Sequence, residues 1–343
     1  MTGVDRAEKL RLDSVDSLIE VANNAHRLRL DKIDFEKQQK MYFEGIVNAR
    51  FSGEFSLKAF MAKFSFVRKH MLSRSRHSQL NYTAFCKQSD AIVNDFLSNI
   101  HEYHESYELL TDFQSKQTFL YLLAGRMLID YRYGMPFAEV AKNCKEYYCI
   151  KLPTEDNSYQ HFFDEDEILV DCGAFEGDTL QEFITNNKPP SKYIGFEPVL
   201  SSCILANKII NVAGVNGVVH NFAVHKTNGI IKIKKSSGMC KVSETGTDVV
   251  KTISLDEMIQ EPVTAIKMDI EGSEYEALEG ATEILKKYKP KLAICIYHKI
   301  SDYRKISLLI KQINPNYTQF YMRYLSPYFT KTMGFVETVL YVR

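Results

Sequence analysis

The sequence predicts an α/β protein, a mostly parallel sheet preceded by an α-helical region, and three observations carry that prediction. Up to about residue 150 glycine and proline are scarce and apolar residues recur three and four apart, as in Phe60, Phe64, Val67 and Met71 or Phe119, Leu122, Leu123 and Met127. That is the period of an amphipathic helix. From about residue 166 short β-rich runs alternate with helical segments, as βαβ units of a parallel sheet do. The last two runs, TQFYMRY and ETVLYVR, have no clear helix between them, so an antiparallel hairpin is expected at the end.

The elements follow in order. ILVDC, residues 168–172, closes on an acid, turns through Gly173 and Gly177, and enters TLQEFITN, whose Leu180 and Phe183 stand at helical spacing. KYIGFEP leads into SSCILANKII, GVVHNFAV supplies a third strand, AIKMDI leads into EYEALEGATEILKKY, and KLAICIYH into YRKISLLIKQI. Between Asn228 and Leu255 the alternation in IIKIKK and VVKTISL, broken by Ser, Gly and Thr, predicts an inserted hairpin over one sheet edge. Such excursions commonly border a site.

Bulk properties exclude several classes. The chain of 343 residues is long enough for two domains, and 45% apolar with 25% charged residues describes a globular protein rather than a disordered one. Basic and acidic residues balance at 43 each, so no global field draws it to nucleic acid. Seven scattered cysteines without a C-x-x-C pair suggest neither a disulfide framework nor a zinc site. The start, MTGVDRAEKLRLD, alternates charges where a signal peptide would be apolar, and no run approaches the roughly 18 apolar residues of a membrane span. A cytoplasmic location is expected.

In open parallel sheets the ligand lies beyond the carboxyl ends of the strands, where strand order reverses. Three acids fall at such ends: Asp171 after ILV, Glu197 after YIGF, and Asp269 after AIKM. Glu197 lies 26 positions past Asp171, close to the spacing at which an acid takes the ribose hydroxyls of a nucleoside cofactor. A nicotinamide site would need G-x-G-x-x-G and a helix start open to pyrophosphate. This turn reads D-x-G-x-x-x-G-D-T, and Asp178 at the helix start would repel phosphate while suiting an amine and a sulfonium. A phosphate-cradling loop with G-K-[ST] is also excluded. Taken singly, the glycines could serve only a tight turn, Asp178 and Thr179 only a helix cap, and Glu197 only a solvated loop; their order at successive strand ends argues for a site.

The run VDCGAFEGDT, then IGFEP, ISLDEM, IKMDIEGSEYEALEGA and KLAICIYHK, resembles the FkbM-type methyltransferases. The K-x-D-x-E-G-x-E run from Lys267 to Glu274 is its most specific part, and the resemblance extends from about residue 105 to the C-terminus. It implies a Rossmann-like seven-stranded methyltransferase fold that uses S-adenosylmethionine. Residues 1–105 would then be a helical N-terminal region, 106–165 a helical lead-in and 166–343 the methyltransferase domain. By the same resemblance Asp171, Gly173, Ala174, Gly177, Asp178 and Thr179 form the first cofactor motif beside the methionine part. Glu197 binds ribose, Asn221 and Ala223 meet the adenine edge, and Asp269 lies beside the transferred methyl. Similar bacterial sequences carry Arg-His-Tyr where this chain has Arg323 and Tyr324, so no role of that histidine carries over.

The resemblance implies O-methyl transfer to a hydroxyl of a sugar or glycan, of a bacterial surface polysaccharide or a glycosylated metabolite. An alcohol needs a base as attack develops, and the candidates are Asp269, Glu271 and His298. Lys267, Asp269 and Glu271 would share a side if the strand stayed extended. Lys267 is then read as an ion-pair partner orienting Asp269, Glu271 and Glu274 also as caps of a helix beginning at Gly272, and His298 also as a polar strand end. A divalent metal on Asp269, Glu271 and an acceptor diol is the lesser alternative, and no metal is assigned. Lys58, Lys63, Arg68, Lys69, Arg74 and Arg76, with no acid among residues 58–76, make a basic amphipathic face. It is read first as a solvated face, with peripheral membrane contact or docking of a lipid-linked acceptor as the alternative. The N-terminal helices could also form a homodimer. The competing class is a non-catalytic nucleoside-binding scaffold on the same fold.

Overall fold

The computed structural model describes residues 12–35, 37, 82–130, 133, 150–154, 158–164, 166–186, 189–236, 239–325, 329–330, 334–335 and 338–343. The basic segment 58–76 lies outside these residues. Chain contacts divide the protein into two compact units, one of residues 1–100, 120–139 and 326–336, the other of 101–119, 140–325 and 337–343.

In the first unit the helices Val15–Leu28 and Tyr82–Ser98 bury Val15, Leu18, Val21, Ala22 and Ala25 on one and Phe85, Ile92 and Phe96 on the other. Ser14 caps the first by accepting from the Ser17 amide at 3.4 Å, the N-cap role for which serine is suited. Leu30, Phe35, Phe85 and Ile129 close a small core.

The second unit is built on a seven-stranded sheet. Its strands are β1 (Ile168–Cys172), β2 (Lys192–Phe196), β3 (Gly217–His220), β4 (Ala265–Met268), β5 (Lys291–Cys295), β6 (Phe320–Tyr324) and β7 (Thr338–Val342), in the order β3-β2-β1-β4-β5-β7-β6. The first five are parallel, and β7 runs antiparallel between β5 and β6. This is the expected seven-stranded sheet, with its closing hairpin paired from Phe320–Val342 to Tyr324–Thr338. β1, β4 and β5 are buried almost throughout, which is why they read as continuous apolar runs rather than alternating ones.

Register places the site. Cys172 lies opposite Phe196 on one side and Met268 on the other, so Gly173, Glu197 and Asp269 leave the sheet side by side. The ladder continues past the strand ends, with Asp269 N donating to Cys172 O at 3.0 Å and Glu197 N to His220 O at 3.0 Å. The order reverses between β1 and β4, where a crevice opens in sheets of this kind.

The structure departs from the sequence reading in four places. GVVHNFAV breaks after His220, and Ala223–Val224 joins a separate four-stranded sheet with Asp248–Ile253, Gly229–Ser236 and Met239–Val242. The inserted hairpin is thus a small sheet of its own, and Asn221 and Ala223 follow the third strand rather than end it. The lead-in is not purely helical, since Lys151–Pro153 pairs antiparallel with Tyr159–His161. Extended geometry stops at Met268, and Glu271 (φ 58°) and Gly272 (φ 99°) turn left-handed. Glu271 therefore does not continue the strand alternation from Lys267, and the next helix begins at Glu274, not Gly272.

Part of the lead-in is integral to the sheet unit. Ser106 donates to Tyr303 O at 2.8 Å, Thr111 N donates to Phe320 O at 2.8 Å, and Arg323, 2% exposed, forks both oxygens of Asp112. That bidentate grip is what a guanidinium does best in a buried setting.

Candidate active site

A charge inside a central strand needs a partner, and Lys267 faces Asp171 across the β1–β4 register. Its Nζ lies 2.9 Å from Asp171 Oδ1, with side chains 2% and 0% exposed. Tyr193 OH donates to Asp171 Oδ2 at 2.6 Å, and Lys267 Nζ donates to Gly173 O at 2.8 Å. Burial alone would push the ammonium down, but the Asp171 and then the Asp269 charges outweigh it and hold Lys267 above its ordinary range. On Asp171 burial is the larger influence and pushes the carboxyl up, against the Lys267 charge and the Tyr193 hydroxyl. Lys267 was expected to orient Asp269; its direct partner is Asp171. Asp171 in turn is fully buried, held between Lys267 and Tyr193.

The turn above is shaped by two left-handed glycines. At Gly173 (φ 83°) a Cβ would stand 2.0 Å from Asp269 O, so only a bare backbone fits against the end of β4. At Gly177 (φ 85°) it would press within 3.1–3.2 Å of Ile209 and Ala206 on the helix Leu200–Ala213. Gly173 N and Ala174 N both donate to Phe196 O, at 2.9 and 3.0 Å. Ala174 and Thr179 are buried, while Asp178, the first residue of the helix Asp178–Asn186, is exposed.

Glu197 is 6% exposed at the end of β2. Its Oε2 accepts from Phe175 N at 3.1 Å and its Oε1 from Val199 N at 2.7 Å. Burial pushes the carboxyl up and these two amides pull it down, with a net rise. An ionised carboxylate offers about four lone-pair sites, so two remain for a diol. Asn221 Nδ2 donates to Glu197 O at 2.9 Å and to Pro198 O at 3.0 Å, which fixes this loop from the third strand end. Ala223 is partly buried in the small sheet.

At the ends of β4 and β5, Asp269, Glu271, Glu274 and His298 come together. His298 Nδ1 is 2.9 Å from Glu274 Oε1, while Nε2 is 3.4 Å from Asp269 Oδ1 and 3.7 Å from Glu271 Oε2. These are ion-pair approaches; neither ring nitrogen has an aligned hydrogen-bond partner. Glu274, fully buried, also accepts from Ile270 N at 2.9 Å and Gly272 N at 3.4 Å, and Tyr297 OH donates to Asp269 Oδ1 at 3.2 Å. Burial lowers the basicity of His298, but the Glu274, Asp269 and Glu271 charges overcome this and push it up to about 9. The free protein thus holds an imidazolium there at neutral pH. Asp302 is pushed up to about 7 by burial and by the Glu274 charge.

Of the residues expected from sequence, Gly173, Glu197 and Asp269 meet at the carboxyl edge of the sheet, and Asp269, Glu271 and His298 form one cluster. Asp178 stands exposed at its helix start. Sequence reasoning missed Tyr193 and Tyr297 as partners of Asp171 and Asp269, and Glu274 as the partner of His298. The pairing of Tyr193 could not be read locally; Tyr297 stands next to His298 in AICIYHK, which was a usable signal.

Residues 171–335 match the sequence family described as the methyltransferase FkbM domain. That segment is similar to an FkbM methyltransferase domain. Among solved structures, a methyltransferase FkbM from Methylobacillus flagellatus KT is similar over 73% of this chain and 60% of its own, at 24% identity and a TM-score of 0.57. That likeness speaks for the fold alone, and the chain spans less than two thirds of that protein's length. An rRNA methylase from Streptococcus thermophilus is similar over 53% of this chain and 87% of its own, at 16% identity and a TM-score of 0.33, too distant to add to it. No curated protein matches the chain. Among the described residues no helix is long and apolar enough to cross a membrane.

Proposed function

We propose that the protein is an S-adenosylmethionine-dependent O-methyltransferase that methylates a hydroxyl of a sugar or glycan in the cytoplasm. The observation that carries the cofactor reading is Glu197, a buried carboxylate at the second strand end whose oxygens are aimed by two amides and retain free lone pairs. The glycine turn fits as well, because it runs beside Glu197, whose Oε2 accepts from Phe175 N. When bound, S-adenosylmethionine supplies a methyl group already activated on a sulfonium.

The chain's own task is then to place the acceptor and take its proton. Asp269 and Glu271, with side chains 24% and 23% exposed, are the carboxylates within reach of an acceptor, while His298 at 4% sits behind them. In the metal-free protein His298 holds its proton at neutral pH, so the carboxylates are there the first proton acceptors and His298 fixes their positions.

The test titrates S-adenosylhomocysteine into wild type, Glu197→Gln and Glu197→Ala by calorimetry. Loss of two charge-assisted hydrogen bonds at about 1–2 kcal/mol each predicts roughly 30- to 700-fold weaker binding to the alanine variant. Equal affinity would remove the ribose assignment, and no binding to wild type would remove the methyltransferase reading. For the acceptor, labelled methyl transfer to a panel of free and lipid-linked glycans is the assay; transfer only to amines or thiols would refute the hydroxyl reading.

A further inference from the structure

Among the described residues, Asp269, Glu274 and His298 each offer a ligand atom within 4.8 Å of the others. Glu271 joins them through its 3.7 Å approach to His298 Nε2. Acids at a sheet edge are common, and by themselves they indicate nothing. The second observation is His298 itself: its side chain is 4% exposed, it points among these carboxylates, and its Nε2 has no hydrogen-bond partner. A buried imidazole nitrogen without a hydrogen bond is costly unless something occupies the space it faces.

The two sides of the ring differ. On the Nδ1 side Glu274 stands at 2.9 Å, fully buried and itself held by the Ile270 and Gly272 amides. That is the distance of a direct contact, and the arrangement in which a carboxylate fixes the orientation of a metal-binding histidine. On the Nε2 side Asp269 Oδ1 and Glu271 Oε2 stand at 3.4 and 3.7 Å. Ligands held about 2.1–2.2 Å from one ion at angles of roughly 90–120° lie roughly 3.0–3.8 Å apart. Glu271 (φ 58°) and Gly272 (φ 99°) make a left-handed turn, and the Glu271 carboxylate lies toward His298 Nε2.

We propose that His298 Nε2, Asp269 and Glu271 form a divalent cation site of the Mn²⁺ or Mg²⁺ type, with Glu274 positioning the imidazole behind it. One imidazole and two carboxylates leave about three positions of an octahedron for oxygens of water or of the acceptor, and an oxygen-rich set of this kind suits those ions better than zinc. The partial exposure of Asp269 and Glu271, 24% and 23%, provides the open side. This deepens the acceptor side of the methyltransferase site and rests on that reading only for its role, not for the binding itself.

The probe is Mn²⁺ alone, titrated into EDTA-treated, dialysed full-length protein and followed by electron paramagnetic resonance. The expected result is one bound Mn²⁺ per chain, displaced by Mg²⁺, with a nitrogen coupling in the spin-echo spectrum from a single imidazole. Glu271→Gln should weaken Mn²⁺ at least tenfold, and Glu274→Gln by about 10- to 100-fold. No Mn²⁺ bound at millimolar concentration, bound Mn²⁺ without nitrogen coupling, or unchanged affinity in Glu271→Gln would each overturn the site. The wild-type spectrum decides even where a variant does not fold. S-adenosylhomocysteine binding in EDTA is measured separately, so failure of the metal site and failure of the cofactor reading are told apart.

Discussion

Replacing Lys267 by methionine should destabilise the protein far more than removing Lys267 and Asp171 together. The two side chains are 2% and 0% exposed and 2.9 Å apart. Lys267→Met strands a buried carboxylate with only the Tyr193 hydroxyl for support, a change that typically costs about 3–5 kcal/mol. Asp171→Asn strands the ammonium against Gly173 O at 2.8 Å and the nearby Asp269 charge, so its cost should be somewhat smaller. The double variant has no unpaired charge, and replacing a buried pair with neutral groups is often close to neutral. It should recover to within about 1–2 kcal/mol of wild type, a coupling of at least about 2 kcal/mol. The protein has no tryptophan, so urea unfolding is best followed by circular dichroism. The double variant should still bind S-adenosylhomocysteine more weakly than wild type, because nothing then donates to the Gly173 carbonyl. Single losses that simply add would refute the pairing, and a double variant with wild-type affinity would refute the idea that Lys267 holds the turn.

Gly173→Ala, which places a Cβ 2.0 Å from Asp269 O at φ 83°, should cost over about 3 kcal/mol and abolish cofactor binding, whereas Gly214→Ala, at φ 66° with nothing within 4 Å, should cost only about 1–2 kcal/mol; similar melting temperatures for the two would remove the close-contact argument. His298 is held up to about 9 against an ordinary 6.5, so its stabilisation is complete below 6.5 and lost as pH rises through 9. In EDTA, stability should fall by about 3 kcal/mol across that window, and a His298→Asn variant that keeps the same slope would contradict this. Asp302, pushed up to about 7 from 3.8, has the same sign at lower pH: its contribution is complete below 3.8 and gone above 7. Asp302→Asn should therefore be more stable than wild type at pH 8 in chemical denaturation, and a destabilised variant would contradict the assignment.

What was legible in the sequence was whatever is local along the chain. The strand, the two-glycine turn and Glu197 could be read because a strand-end acid is placed by its own strand and the turn by its own glycines. The Lys267–Asp171 pair could not, since the residues lie 96 positions apart and meet only through the β1–β4 register. Knowing that Lys267 needed a partner was possible from its place in an apolar strand; choosing between Asp171 and Asp269 needed the pairing. Glu271 shows the opposite failure. Period-two alternation sets Glu271 beside Lys267 only while the strand stays extended, and the left-handed turn at Glu271 and Gly272 is why Glu271 faces His298 instead. Glu274, readable as a helix cap, does accept amides from Ile270 and Gly272, but its contact with His298 joins two segments that only the sheet brings together.

Gly173 is where the two halves of the site become one mechanical object. Its α-carbon lies so near the Asp269 carbonyl that no side chain fits between them, its own carbonyl is held by Lys267, and its amide is held by Phe196 O. A wall built from backbone contacts of this kind yields little, because packed interiors transmit displacement rather than absorb it. A cofactor pressed against the turn therefore acts directly on the end of β4, which carries Asp269. Through Asp269 it reaches Tyr297 and His298, and through His298 it reaches Glu271, by contacts of 3.2 to 3.7 Å. The cofactor side and the acid cluster should accordingly be coupled: S-adenosylhomocysteine should change the Mn²⁺ affinity, and Mn²⁺ should change that of S-adenosylhomocysteine by the same factor, as linkage requires. Independent binding of the two in calorimetry would mean that the Gly173–Asp269 contact isolates the half-sites instead of joining them.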